Sequence, residues 1–127
     1  MKATRPLEFV SVFQVEMPVA DGDAYVYCAL DSYSEFLFQT GIERNRNPET
    51  IIKHINLLIA HPDFKNALER HKSFKLVLHK FAELTPKINA IIEPLGGTMI
   101  VNDAFVAKEF VPVIKHLYSS MGGKKKK

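Results

Sequence analysis

Arg44-Asn45-Arg46-Asn47 and the nearby Lys53 set cations around Asn47-Pro48. That dipeptide signals a helix start, because Asn is a favoured N-cap and Pro at the first helical position gives up an N–H that has no intrahelical partner anyway. Free backbone amides at a helix N-terminus, together with cationic side chains, can hold a phosphate. With Lys80 these residues form the candidate nucleic-acid contacts: Arg44, Arg46, Lys53 and Lys80. A solvated loop is the alternative reading of the same residues. The five histidines, His54, His61, His71, His79 and His116, show no metal-ligand spacing, since His54 and His61 stand two helical turns apart, and they read as scattered surface or boundary residues. Cys28 is the single cysteine and lies in an apolar strand-like run, so neither an intrachain disulfide nor a Cys-based zinc site can form. No Ser, Cys or Lys nucleophile carries a local signature. Gly96-Gly97 follows a helical pattern instead of opening one, which makes it a stop signal and not a phosphate loop.

Charge sharpens the question of partner. The formal charge is +3, but Lys124 to Lys127 supply four of the cations, and without them thirteen Lys and Arg face fourteen Asp and Glu, a net of −1. The basic character belongs to a tail, residues 122–127, that Gly122-Gly123 marks as disordered; a solvated end and a nucleic-acid arm both fit it. The remaining residues 1–121, in a chain 46% apolar and 24% charged, suit one globular domain with a real core. No apolar stretch approaches the roughly 20 residues that span a bilayer. The N-terminal residues lead into a strand and not into a signal-peptide core. A soluble, cytoplasmic protein in a reducing compartment is expected, with no membrane partner and no small-molecule substrate in view.

The elements that must position these residues follow from periodicity. Phe9, Phe13, Val15 and Met17 alternate with Val10, Val12, Gln14 and Glu16, the period of a strand. Asp21-Gly22-Asp23 is a turn signal, and residues 24–30 are β-branched and aromatic, so the first two strands should form a hairpin. Asp31-Ser32-Tyr33-Ser34 is turn-forming, and residues 35–42 resume an extended pattern. Ile51, Ile52, Ile55, Leu58 and Ile59 then fall on one face of a helix that Pro62 ends. Phe64, Ala67 and Leu68 suggest a short helical piece, residues 74–78 a strand, and Leu84, Ile88, Ile91, Ile92 and Leu95 another helix. Residues 98–101 give a fifth strand. Asn102 or Asp103 can cap a last helix with Phe110, Val113, Ile114, Leu117 and Met121 on its apolar face, either kinked at Pro112 or beginning near Phe110. Three strands joined by turns give an antiparallel meander, and strands separated by helices return parallel. The expected fold is α/β: a mixed five-stranded sheet, three antiparallel strands and then two parallel ones, with helices on its faces, the ribonuclease H-like architecture, although other α/β arrangements can carry the same order.

Val12-Phe13-Gln14-Val15-Glu16, a short loop, and residues 24–36 ending in Leu30-Asp31-Ser32-Tyr33-Ser34 resemble the opening of integrase and transposase catalytic cores. There the first strand carries an Asp and the second ends in an aliphatic-Asp-x-aromatic-Ser turn. The motif covers roughly residues 8–40; residues 41–121 follow by element order. The resemblance implies three carboxylates converging on two divalent metals, Mg²⁺ or Mn²⁺, for phosphoryl transfer on DNA. Glu16 stands where the family has Asp, and Glu109 on the last helix is the counterpart of the third acid, so these two are the catalytic and metal-binding candidates. The second acid, expected after the fourth strand, is replaced by His79-Lys80. Reading Asp103 as that acid leaves too little chain for the elements that must follow it. Asp31 and Ser34 correspond to turn residues, not metal ligands.

The resulting expectation is a degenerate integrase-like domain, a pseudoenzyme that needs no cofactor and serves nucleic-acid binding or assembly. Two alternatives stand: an active Mg- or Mn-dependent transposase or nuclease core, and a protein-interaction or regulatory domain without nucleic acid. Integrase-like cores commonly dimerise, so a homo-oligomer is expected, with Phe105, Phe110 and Tyr118 as candidates for the contact.

Overall fold

The first strand, β1 (Val10–Val19), runs up the middle of the sheet and is buried on both sides over its first half, with Val10, Val12 and Phe13 joined by the buried Ser11. The structure is a computed structural model describing residues 2–120, with side chains as far as Lys115. The tail at 122–127, Met121, and the side chains of Leu117 and Tyr118 lie outside the described residues. β2 (Gly22–Asp31) pairs antiparallel with β1 from Val19↔Gly22 to Val10↔Asp31, so the hairpin turns at Ala20-Asp21, a residue earlier than Asp21-Gly22-Asp23 suggests. β3 (Leu37–Glu43) follows on the outer edge of β2, starting two residues later than expected because Glu35 and Phe36 belong to the turn.

That turn is tied by Asp31. Its buried carboxylate accepts from the backbone N–H of Leu7 at 3.0 Å, from that of Tyr33 at 3.4 Å, and from the Ser34 hydroxyl at 2.6 Å. Asp31 and Ser34 are thus turn-forming, as their types imply.

Helices α1 (Pro48–Ala60) and α2 (Pro62–His71) then cross the sheet to β4 (Phe74–Leu78), and α3 (Thr85–Ile92) crosses to β5 (Gly97–Val101). β4 is parallel to β1, from Val10↔Leu76 to Val12↔Leu78, and β5 is parallel to β4, giving the order β3-β2-β1-β4-β5. This is the mixed five-stranded sheet that the sequence implies. Pro62 does end α1, but it also opens α2 at once, with His61 as the cap between them: His61 Nδ1 accepts the Asp63 N–H at 3.2 Å. Before β5, Gly96 takes the left-handed conformation (φ +89°), and a Cβ there would strike the Lys72 carbonyl; one on Gly97 would strike the Phe74 ring.

The last helix, α4 (Asp103–Ser120), neither begins near Phe110 nor breaks at Pro112. Asn102 caps it, its side-chain oxygen accepting the Phe105 N–H at 3.0 Å, so Asp103 is the first helical residue and not the cap. Pro112 stands on the exposed side, where water can reach the Lys108 carbonyl that loses its partner.

Period-2 alternation distributes the core. Val10 and Val12 join Tyr27, Phe38, Leu76 and Leu78 under α1, α2 and α3, packed by Ile51, Ile55, Leu58, Phe64, Ile88 and Ile92. Phe9, Phe13 and Val15 join Val26, Cys28, Leu30 and Val77 on the other face, which α4 covers with Val106 and Val113. Each such side chain contributes about 1.5–3 kcal/mol of burial. The Cys28 thiol is free, and burial pushes its pKa up to about 12, which leaves it an inert core residue.

Candidate functional site

β4 stops at Leu78, opposite Val12, while β1 runs on for seven more residues with only β2 beside it. Beyond Val12, therefore, one edge of the central strand is uncovered. The start of α4 faces that edge, and between them lies a cavity of about 350 Å³ lined by Phe13, Gln14, His79, Lys80, Asp103, Val106, Ala107 and Phe110. A crevice outside the carboxyl ends of the strands is where open α/β sheets place their ligands. Phe13 and Phe110 form its aromatic wall, edge to face with centroids 5.4 Å apart.

The polar groups of this crevice are few. Gln14 comes from β1 and is 8% exposed. His79 and Lys80 follow β4 directly, and Asp103 opens α4. The His79 imidazole is held below its ordinary pKa, first by partial burial and next by the Lys80 charge, with Arg46 adding to the effect and Asp103 opposing it. The ring is accordingly neutral near pH 7. Its Nδ1 is buried without a hydrogen-bond partner among the described residues.

These residues do not fit a pair of Mg²⁺ ions. Mg²⁺ asks for several oxygen ligands, and here one carboxylate stands with a carboxamide, an imidazole and an ammonium group. Among the described residues no three His, Cys, Asp or Glu side chains are grouped to hold a metal. A carboxylate sharing a metal with the residue after β4 would have to project from β1 beside the end of β4, and Gln14 occupies that place. Glu16 lies two residues, about 7 Å, farther along β1, where it is exposed and paired across the hairpin with Tyr25.

Nor does the fold bring Glu16 to Glu109. Glu109 lies at the opposite end of the sheet, where one carboxylate oxygen accepts from the Ser32 hydroxyl at 3.4 Å and the other is buried without a partner among the described residues. Ser32 is bonded to Phe9, so Glu16 is seven residues, roughly 23 Å, away along β1. Partial burial raises the Glu109 pKa, with the Ser32 hydrogen bond and Lys108 opposing the shift.

The basic residues divide. Arg44 is bonded to Asp21 at 2.6 Å, Lys53 to Glu43 at 2.7 Å, and Arg46 stacks over the Tyr25 ring at 5.2 Å. Lys80 is exposed at the crevice and has no ion pair among the described residues. The charges of Lys80 and Arg46 both reach His79, opposed there by Asp103. Phe105 and Phe110, expected on the outer surface of α4, instead turn inward: Phe105 packs on Phe9 and Phe110 on Phe13, both half-buried.

His54 is a further correction, because it is no surface residue. It is 4% exposed, stacked on Tyr27 with centroids 4.1 Å apart, and hydrogen-bonded at both ring nitrogens, Nε2 to Glu43 at 2.8 Å and Nδ1 to the Thr40 hydroxyl at 2.6 Å. A carboxylate only accepts, so Nε2 donates to Glu43, while Nδ1 shares a hydrogen bond with the Thr40 hydroxyl. Thr40 reaches His54 from a β-bulge, where the register jumps from Tyr27↔Gly41 to Cys28↔Gln39. The place of His54 among Ile51, Ile55 and Leu58 on the apolar side of α1 is the sequence signal of its burial. Gln14 and Asp103 carry no such signal as site residues, since only the length of β4 exposes the one and only the path of α4 brings up the other.

No family model matches this chain, and no curated protein does. Among solved structures the fold recurs in the intasome of simian T-cell lymphotropic virus, solved in complex with PP2A regulatory subunit B56 gamma: TM-score 0.68 at 8% identity, over all of this chain and 45% of that one. It recurs too in the HTLV-2 integrase catalytic core domain with magnesium, at TM-score 0.60 and 8% identity in the dimeric form and 0.62 and 9% in the trimeric form, covering 93% and 94% of this chain and 74% of each of those. The sheet order, the strand directions and these likenesses together make the fold that of the retroviral integrase catalytic core, of the ribonuclease H type.

Proposed function

We propose that this chain is a catalytically silent integrase-like domain that binds nucleic acid through the crevice between β1, β4 and α4. The observation that carries the reading is the side-chain set of that crevice: Gln14, the neutral His79 and the cationic Lys80 stand where two-metal chemistry needs acids, and Arg46 adds positive charge nearby. Cations in that place attract phosphate directly, without a metal between them. Arg44 and Lys53, already paired with Asp21 and Glu43, contribute less. Assembly into a homo-oligomer fits the dimeric and trimeric forms of the HTLV-2 core, and on α4 the exposed Val111, not the inward-turned Phe105 and Phe110, is the residue to offer that contact.

The test is fluorescence anisotropy with a labelled oligonucleotide, using a full chain in which Lys124 to Lys127 are changed to Ser. Binding should persist and should weaken about tenfold or more in Lys80→Glu, with a salt dependence that drops accordingly. Loss of all binding with the tail charges would reduce the affinity to generic electrostatics and end this reading. Strand cleavage in Mn²⁺ that disappears in Glu16→Gln would show an active enzyme instead.

A further inference from the structure

The crevice is more than a charged edge, because the larger part of its lining is apolar. Its volume of about 350 Å³ lies at the small end of ligand clefts, which run from roughly 300 to 1,000 Å³. Phosphate contacts alone call for exposed cations on an open surface; they give no reason for an aromatic wall. Here Phe110, backed by the buried Phe13, supplies that wall, and Gln14 and Asp103 line the cavity beside it. The Gln14 amide both donates and accepts, and the Asp103 carboxylate accepts. A flat ring whose edge carries both donors and acceptors satisfies such a set, and a π-face suits the aromatic wall. In a nucleic acid that object is a base, and it is available only where it is unpaired, since in a duplex its face is stacked and its edge is taken.

We propose that the cavity takes one unstacked nucleobase, with the adjoining phosphates on Lys80 and Arg46, so that this site selects single-stranded nucleic acid over duplex. The inference rests on the nucleic-acid reading above and adds the part of the ligand that the apolar surface recognises. Gln14 suits a bidentate contact with a base edge, a pairing that amide side chains make with adenine. Asp103 favours bases that present an exocyclic amino group over thymine or uracil, which present none.

The experiment compares three labelled oligonucleotides of equal length on the full chain with Lys124 to Lys127 changed to Ser: a mixed-sequence single strand, its duplex, and a single strand made largely of abasic sites. The single strand should bind about tenfold more tightly than either of the others, since base stacking on an aromatic side chain is lost from both. Phe110→Ala should remove that preference. Because Phe110 also packs on Phe13, Gln14→Leu serves as the second variant, keeping the shape of the cavity and levelling any difference between adenine-rich and thymine-rich strands. Equal binding of the normal and abasic strands would overturn the base site and leave the phosphate contacts standing. Absence of binding to all three would overturn both readings.

Discussion

Two histidines in this molecule are placed by the same sheet and used in opposite ways. His54, on α1, is buried, stacked on Tyr27, and satisfied at both nitrogens by Thr40 and Glu43. His79, just past β4, is half-buried beside the cavity, and its Nδ1 is buried without a partner among the described residues. A buried polar group left unpaired costs about 1–3 kcal/mol, so a chain keeps one only where something else compensates. The first region reads as a closed network that holds β3 against α1. The second is an open network, a buried ring nitrogen without a partner among the described residues beside a cavity that Lys80 and Asp103 also line. Three buried polar atoms lack partners among the described residues, those of Ser11, His79 and Glu109, and none of them belongs to the His54 network.

The contrast breaks most decisively at His54 itself. His54→Ala should destabilise the protein by roughly 3 kcal/mol in urea unfolding, from a cavity beside Tyr27 and a Glu43–Thr40 pair left without its bridge, while His79→Ala should cost less than about 1 kcal/mol. Comparable losses at the two sites would abolish the distinction. Thr40→Val tests the network in isolation: it makes His54 Nδ1 an orphan like that of His79 and should cost about 1–2 kcal/mol by the same measurement.

Smaller effects come from protonation. Because the folded protein depresses the His79 pKa, the unfolded chain binds the proton more readily. The contribution of His79 to stability is therefore full above the ordinary value of 6.5 and is lost as the pH falls through that value toward the folded one. Melting temperatures of wild type and His79→Gln should diverge in that direction between about pH 8 and pH 5; parallel profiles would contradict it. Glu109 has the opposite sign. Its raised pKa means that the ionised carboxylate is disfavoured in the folded state above the ordinary value of 4.5, so Glu109→Gln should stabilise at neutral pH and lose the advantage as the carboxyl protonates. With Glu109 only partly buried the gain should be about a few tenths of a kcal/mol. A loss of stability in Glu109→Gln at neutral pH would show instead that the Ser32 hydrogen bond outweighs the buried charge.

What the sequence determined by itself was whatever is written in short-range periodicity and in backbone chemistry. Alternation in residues 9–17 marked β1 and assigned its two faces, the i, i+4, i+7 stripe marked α1, Asn47-Pro48 marked its start, and Gly96-Gly97 marked the stop before β5. Each of these signals acts within one turn or one strand, so each is legible without the rest of the molecule, and together with the order of elements they gave the sheet its strand directions. Pro112 left two alternatives open, a kink or a start near Phe110, and only the tertiary structure ruled out the late start, with the helix running from Asp103 to Ser120. On α4 the apolar stripe of Phe110, Val113 and Ile114 does face the sheet, whereas Phe105, offered as a contact between copies, is received by Phe9, which only the tertiary structure brings to it. The site depended on tertiary structure altogether. Gln14 meets His79 only because β4 ends opposite Val12, and Glu16 parts from Glu109 only because α4 carries Glu109 to Ser32 at the far end of β1. Strand register and helix path are set by packing among distant residues, and no local pattern in the chain encodes them.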